Sequence, residues 1–322
     1  MPLDPYFANK MKVLEKFASV ADAMSNPETA KELAMAFKDT ETTEPPAGEV
    51  QVTVVDTREG PVGVRLYMPK NLDPRTPVFV WVHGGGFAGG SIDMPESDTV
   101  ARELAFLHGI PVVTVDYALS NGTTITYPVP HRQVADVVRW VRDHRRLWGA
   151  PDRAYCLGGA SAGANLAVGS VLELREQNEE LPAALLLVYP MVHRQLVISE
   201  TLETGLSEAL GLTRMNQGLV DHMFSLYTAG QQAPYASVDG HDLAGFPRTL
   251  TLVSEYDDLR PSGEAFHADL LAASVDAELY LAEGMPHGHL DRTRLVPEVG
   301  QTVKRMASFL TATSPSALFH QP

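Results

Sequence analysis

Short apolar runs rich in β-branched residues recur along this chain with amphipathic stretches between them. That alternation constrains its fold more than any other feature. Val78–Val82, Pro111–Val115, Ala154–Leu157, Ala184–Tyr189, Thr249–Val253 and Glu278–Leu281 are each strand-length. Continuous runs of this kind suit strands buried on both faces of a mostly parallel sheet. Between and after them Glu96–Leu107, Pro130–Leu147, Ala162–Gln177, Ser262–Ala273 and Val296–Leu310 carry helical spacing. In the second of these, Val134, Val137, Val138 and Val141 mark one face and Pro130 sits in the first turn. Upstream, Glu49–Thr57 and Val62–Met68 alternate and are joined by Arg58-Glu59-Gly60-Pro61, a hairpin pattern. A hairpin followed by alternating strands and helices predicts an α/β chain: an eight-stranded, mostly parallel, doubly wound sheet with helices on both faces.

Two stretches break the alternation. Residues 1–45 hold two helical patterns and no strand signal, with Phe7, Met11, Leu14 and Phe17 in one apolar stripe. Residues 191–246 separate the sixth strand from the seventh and are too long for a simple connection. They contain one helical piece, Leu219–Tyr227, between polar and Gly-rich segments. The expected organisation is N-terminal cap helices over 1–45, a catalytic core over 46–190 and 247–313, a cap insertion over 191–246 and a flexible tail over 314–322.

Charge narrows the function classes. The 322 residues carry 25 Lys and Arg against 40 Asp and Glu, a net charge of −15. A large nucleic-acid footprint is not expected from such a chain, and anionic surfaces repel it at long range. No apolar run approaches the roughly 18 residues of a membrane-spanning helix. Met1–Tyr6 has neither the basic region nor the apolar stretch of a signal peptide, so a cytoplasmic location is expected. The single cysteine, Cys156, lies in the run Arg153–Ser161, has no internal disulfide partner and reads as a small buried hydrophobe.

Two glycine loops compete for attention. Gly84, Gly86 and Gly89 satisfy G-x-G-x-x-G, and Asp116 ends the next strand, which imitates a dinucleotide fingerprint. The context fails, because those glycines must open a helix directly. Here the loop runs on through Gly90–Met94, and Pro95 is the first plausible helical residue. The better reading is a strand exit whose backbone N–H groups can face a developing negative charge. The second loop, Gly159-Ala160-Ser161-Ala162-Gly163, is a G-x-S-x-G pattern between a predicted strand and a predicted helix. The sharp turn it implies strains Ser161 and demands small neighbours. Residues 158, 159, 160, 162, 163 and 164 are all Gly or Ala.

A serine nucleophile needs a base, and the base an orienting acid. In this architecture the chain order is Ser, then Asp or Glu, then His. The loop after the seventh strand offers Glu255, Asp257 and Asp258; the loop after the eighth offers His287 and His289.

With these motifs in place, residues 45–312 resemble the hormone-sensitive-lipase-like branch of the α/β-hydrolases, the bacterial carboxylesterases. The resemblance implies an α/β-hydrolase fold with a helical cap built from the two excursions. That family's Asp-Pro-Leu motif, catalytic acid first, matches Asp257-Asp258-Leu259 and points to Asp257. Its His-Gly-aromatic motif matches His287-Gly288-His289 and points to His287. Its oxyanion donors carry over to the backbone N–H groups of Gly85, Gly86 and Ala162. Departures occur at Ala160 and Ala164, where the family has Asp and Gly. The family's Asp-Tyr-Arg-Leu-Ala-Pro-Glu motif survives only as Asp116-Tyr117-Ala118-Leu119-Ser120, and Pro261 replaces an acidic residue.

The expected activity is a monofunctional serine ester hydrolase acting on short-chain acyl esters. Ser161, Asp257 and His287 form its triad, while His83 and Gly84 support the glycine loop. No metal or organic cofactor is called for; the H-x-H pair lacks a third ligand motif. His289 is expected on a pocket wall or at the surface, Asp258 and Glu255 as solvated or paired carboxylates, and Met215–Tyr227 as cap core. The expected partner is a small-molecule ester, with neither nucleic acid nor membrane, and a homodimer is left open. Two rivals share the motifs: an amide, lactone or carbamate hydrolase, and a non-catalytic receptor on the same fold, as in the plant gibberellin receptors.

Overall fold

The computed structural model describes residues 2–17, 26–39, 41 and 43–313; the tail expected over 314–322 lies outside them. The chain opens with α1 (Pro5–Met11), a 3-10 turn over Lys12–Lys16 and α2 (Pro27–Phe37). The hairpin follows as β1 (Glu49–Thr57) and β2 (Gly60–Met68). Then come β3 (Val78–Val82), α3 (Asp98–Phe106), β4 (Val112–Asp116), α4 (Val129–Asp143), β5 (Tyr155–Ala160) and α5 (Ala162–Glu176). After β6 (Ala184–Val188) the insertion forms α6 (Glu200–Leu210) and α7 (Gln217–Thr228). The chain returns through β7 (Arg248–Tyr256), α8 (Arg260–Ala272), β8 (Ala277–Pro286) and α9 (Pro297–Ala312).

The eight strands make one sheet in the order β1-β2-β4-β3-β5-β6-β7-β8. The pairings β1–β2 and β2–β4 are antiparallel, and all others are parallel. From β3 the chain moves outward to β4, then crosses back to lay β5 on the other flank of β3. Connections leaving the carboxyl ends of β3 and β5 therefore diverge, and a crevice opens between them. Apolar residues cover both faces of the sheet. Val134, Val137 and Val141 of α4, Leu166 and Leu174 of α5 and Phe266 of α8 pack on one. Leu104 of α3, Val303 and Phe309 of α9, Leu206 and Leu210 of α6 and Phe7 of α1 pack on the other.

The strands and helices of the core fall where the sequence places them, with ends displaced by a few residues. The insertion differs from expectation, because it holds a second helix, α6. Gly205, three threonine or serine residues and three glutamates obscure its pattern, while Leu202, Leu206 and Leu210 repeat every fourth residue and turn inward. Ser199 caps it, its side chain accepting from Leu202 N–H. The N-terminal stripe meets this insertion: Phe7 and Leu14 are buried, and the Thr213 hydroxyl donates to Met11 Sδ at 3.4 Å. Cys156, in the middle of β5, has no solvent exposure, and burial pushes its thiol up to about 12. Among the described residues no helix is long and apolar enough to cross a membrane.

Helix α5 lies so close to β3 that a Cβ on Gly163 would overlap the carbonyl oxygens of Val82 and His83. Backbone on both sides leaves little room to yield. Gly163→Ala is expected to cost about 1–3 kcal/mol, the usual penalty of overpacking, and to lower the urea midpoint of unfolding measured by circular dichroism.

Candidate active site

Ser161 stands on the turn between β5 and α5 with φ 53° and ψ −116°, a conformation that L side chains rarely adopt. The surroundings hold it there. Its N–H donates to Val188 O of β6 at 2.9 Å, and its own carbonyl accepts from Asn165 N at 3.2 Å. Asn165 Nδ2 donates to Met191 O and Ala236 O, at 2.8 and 2.9 Å, and so fastens α5 to the start and end of the insertion. The hydroxyl sits at the amino end of α5, where the aligned peptide dipoles favour negative charge.

His287 follows the end of β8, and its Nε2 lies 3.1 Å from Ser161 Oγ. On the other side its Nδ1 donates to Asp257 Oδ2 at 2.7 Å. Asp257, almost wholly buried after β7, is fixed in turn because its Oδ1 accepts Leu259 N–H at 2.9 Å. Burial alone would lower the pKa of His287, but the charge of Asp257 and its hydrogen bond outweigh it and hold the imidazole above its ordinary value. Three residues separated by 96 and 30 positions in the chain thus form one hydrogen-bonded series.

The glycine loop leaves β3 beside Ser161. A Cβ on Gly84 would sit 3.3 Å from that of Ser161. Gly85 has φ 117°, and a side chain there would overlap Gly89 O, so the loop doubles back in a way only glycine permits. Among the described residues the backbone N–H groups of Gly85, Gly86 and Ala162 have no acceptor. Ala162 is the first residue of α5, whose leading N–H groups find no partner within the helix. His83 lies beneath: its Nδ1 donates to Gly84 O at 2.7 Å, and its ring stacks on Tyr117 with centroids 4.3 Å apart. The Tyr117 hydroxyl donates to His83 O at 3.0 Å. Above the loop, Met223 of α7 occupies the space that a side chain on Gly86 would need.

Sequence reasoning missed two residues here. Glu96, buried ahead of α3, accepts Gly84 N–H at 2.7 Å with Oε1 and the Tyr189 hydroxyl at 2.6 Å with Oε2. Tyr189, just past β6, sets its ring 4.7 Å from that of His287. Neither belongs to a recognisable motif, and nothing in the local pattern distinguishes Glu96 from an ordinary helix-leading acid.

Other expectations need correction or refinement. His289 is neither a pocket wall nor at the surface. It is fully buried, with Nδ1 3.0 Å from Ser254 Oγ and Nε2 3.1 Å from Thr302 Oγ1, and burial pushes its pKa down to about 3. Asp258 is also buried and paired: Arg214 Nε reaches its two oxygens at 2.9 and 3.1 Å, and Met215 N–H donates to it at 2.7 Å. Glu255 accepts Gly284 N–H at 2.7 Å. Among the described residues no group of three His, Cys, Asp or Glu side chains could hold a metal ion. A cavity of about 120 Å³ lies on the Asp257–His287 side of the site, lined by Phe7, Met11, Leu210 and Met215, and Ser161 is not among its lining residues.

The alpha/beta hydrolase fold family matches residues 79–291 of this chain, and the chain belongs to it. Esterase LipI of Mycobacterium tuberculosis is 28% identical over 259 residues, 78% of this chain and 78% of that protein. An acetyl esterase of Salmonella typhi is 27% identical over 270 residues, 83% of this chain and 81% of that protein. Among solved structures, a hyperthermophilic esterase from the archaeon Pyrobaculum calidifontis superimposes with a TM-score of 0.80 at 27% identity, covering 97% of this chain and 99% of that one.

The Arg214–Asp258 pair joins the insertion to the loop that carries Asp257. Asp258→Asn is expected to lower stability by about 1–3 kcal/mol. That is less than the roughly 3–5 of a fully buried pair, because Arg214 keeps Glu203 at 2.9 Å. Urea unfolding of the variant beside the native protein checks it; an unchanged midpoint would make the pair energetically neutral.

Proposed function

We propose that this member of the alpha/beta hydrolases is a serine carboxylic-ester hydrolase that works through an acyl-enzyme on short-chain acyl esters. The observation that carries the reading is the continuous series from Ser161 Oγ through His287 to Asp257, at 3.1 and 2.7 Å. Relatives named as esterases, covering most of this chain, support the same class.

In this mechanism Ser161 Oγ attacks the ester carbonyl carbon while His287 Nε2 takes its proton. Asp257 keeps the Nδ1–H tautomer and stabilises the imidazolium as it forms. The oxyanion is met by the N–H groups of Gly85, Gly86 and Ala162, each worth about 3–4 kcal/mol by analogy with measured donors. Collapse of the tetrahedral intermediate breaks the carbon–oxygen bond to the alcohol, which leaves with the proton from His287. Water then enters, gives its proton to His287 and releases the acid by the same steps in reverse. No step calls for a metal or an organic cofactor. The N-terminal segment and the insertion act as the cap, and His83 and Gly84 hold the donors in place.

Ser161→Ala tests the reading. The variant is expected to fold, to lose turnover of p-nitrophenyl acetate and butyrate, and to lose labelling by a fluorophosphonate. Retained esterase activity would remove Ser161 from the mechanism. Native kcat/KM is expected to fall from two- and four-carbon to eight- and ten-carbon acyl esters; a rise along that series would overturn the short-chain assignment. A matched amide cleaved faster than its ester would move the protein to the amidases.

The pH profile follows from the environment of His287. The imidazole must be neutral to accept the Ser161 proton, and its pKa is raised above the ordinary value of about 6.5. Measured kcat/KM should therefore climb with pH through a midpoint above about 6.5 and hold its plateau on the alkaline side. A maximum near pH 5, reckoned against that ordinary value of about 6.5, would exclude histidine as the base.

A further inference from the structure

The oxyanion loop and the imidazole are held from behind by the same side chain. Glu96 is only 3% exposed, and both of its carboxyl oxygens are engaged within the site. Oε1 takes the N–H of Gly84, the residue that leads into the donors Gly85 and Gly86, and a Cβ on Gly84 would stand 3.1 Å from this oxygen. Oε2 takes the Tyr189 hydroxyl, whose ring lies against His287. The main chain of Glu96 is anchored independently: its N–H donates to Asp291 Oδ1 at 3.0 Å, and its carbonyl accepts Trp81 Nε1–H at 3.1 Å. A carboxyl buried at this depth is costly unless its hydrogen bonds are complete. Here each oxygen accepts one, and both run toward the catalytic groups.

We propose that Glu96 is a positioning residue for ester hydrolysis: its carboxyl ties the root of the oxyanion loop to Tyr189, and through Tyr189 fixes the face of His287. The inference rests on the ester-hydrolase reading of Ser161 and His287. Glu96 touches neither substrate nor the reacting atoms. Its effect belongs to the transition state, where the donors must meet the oxyanion and the imidazolium must stay against Asp257. Substrate binding before that point draws little on it.

Charge gives a second readout. The groups facing the Glu96 carboxyl are Asp291, after β8, with Arg292 and Arg294 beyond it, and Tyr189, Tyr117 and His287. Around His287 itself stand Asp257, Asp258 and the neutral His289. Burial first, and Asp291 second, lift Glu96 above the ordinary carboxylate range, so it gains negative charge as the pH approaches neutrality. That charge favours the imidazolium form of His287. Removing it should make the imidazole easier to deprotonate.

Glu96→Gln keeps an acceptor for Gly84 but loses the charge and the acceptor for Tyr189. The expected result is a fall in kcat of roughly tenfold to a hundredfold, the range for one charge-assisted hydrogen bond, with KM for p-nitrophenyl butyrate little changed. Affinity for a trifluoromethyl ketone, which mimics the tetrahedral intermediate, should weaken in step with kcat. The acid limb of kcat/KM should move to lower pH. Tyr189→Phe, a smaller change that serves if Glu96→Gln does not fold, should give a fall in kcat of the same kind. The double variant should lose less than the product of the two single losses. Fluorophosphonate labelling separates this inference from the one beneath it. Slower labelling of Ser161 in Glu96→Gln supports the positioning role, whereas a native protein that is not labelled at all removes the ester-hydrolase reading. Folded Glu96→Gln and Tyr189→Phe variants with native kcat, native ketone affinity and an unmoved acid limb would overturn the role assigned to Glu96.

Discussion

The site depends on backbone packed against backbone, where the turn between β5 and α5 presses on the end of β3. Gly163 meets the carbonyls of Val82 and His83 with no room for a single methyl group. Gly159 faces the same carbonyl of Val82 from the strand side. That contact fixes two things together: the conformation of Ser161 and the point where the glycine loop departs. Because β3 is flanked by β4 on one side and β5 on the other, the loops from β3 and β5 emerge side by side and part only beyond the sheet. The remaining members arrive from β7 and β8, whose carboxyl ends point the same way. Parallel pairing brings the groups to one edge, and the crowded turn aims them.

Two histidines, two positions apart, show how strongly the site divides similar side chains. His287 lies against Asp257, and that carboxylate outweighs the cost of burial. His289 has no carboxylate partner among the described residues; its ring nitrogens meet the hydroxyls of Ser254 and Thr302, and burial keeps it neutral. Asp257 and Asp258 are divided in the same manner. One turns to the imidazole and the other to Arg214 of the insertion. Adjacent residues at the end of a strand point in different directions, so neighbours of the same chemistry serve different partners.

Much of this is legible in the chain itself. Val78–Val82 and Ala184–Val188 are legible because strands buried on both faces admit little but branched apolar residues. Ser161 is legible because its strained turn leaves a signature of small residues on both sides. Helix α6 was hidden because its apolar face is a single row of leucines among polar and glycine residues. The burial of His289 is not legible because a strand-exit loop reads as exposed, whereas this one folds back against α9. Glu96 and Tyr189 could not be found from spacing. Their significance lies in the meeting of residues 84, 96, 189 and 287, brought together only by the sheet order. Motifs record what the turn demands locally; they do not record what the assembled layers demand of distant side chains.

The lone cysteine gives this architecture an internal gauge. Cys156 lies on β5, hydrogen-bonded to β3 on one side and β6 on the other, with its thiol sealed from solvent and its ionisation suppressed. Its side chain projects from the sheet into the layer that holds Leu104, Val303 and Phe309, so an alkylating reagent reaches it only when that layer lifts from the sheet. When reclosing outpaces the chemistry, the modification rate of this one sulfur reports how often that layer opens. The same strand ends at Ser161, so the clock and the catalytic turn share a backbone. Loosening of the layer behind the catalytic turn can thus be followed within a single chain, without introducing any foreign label site.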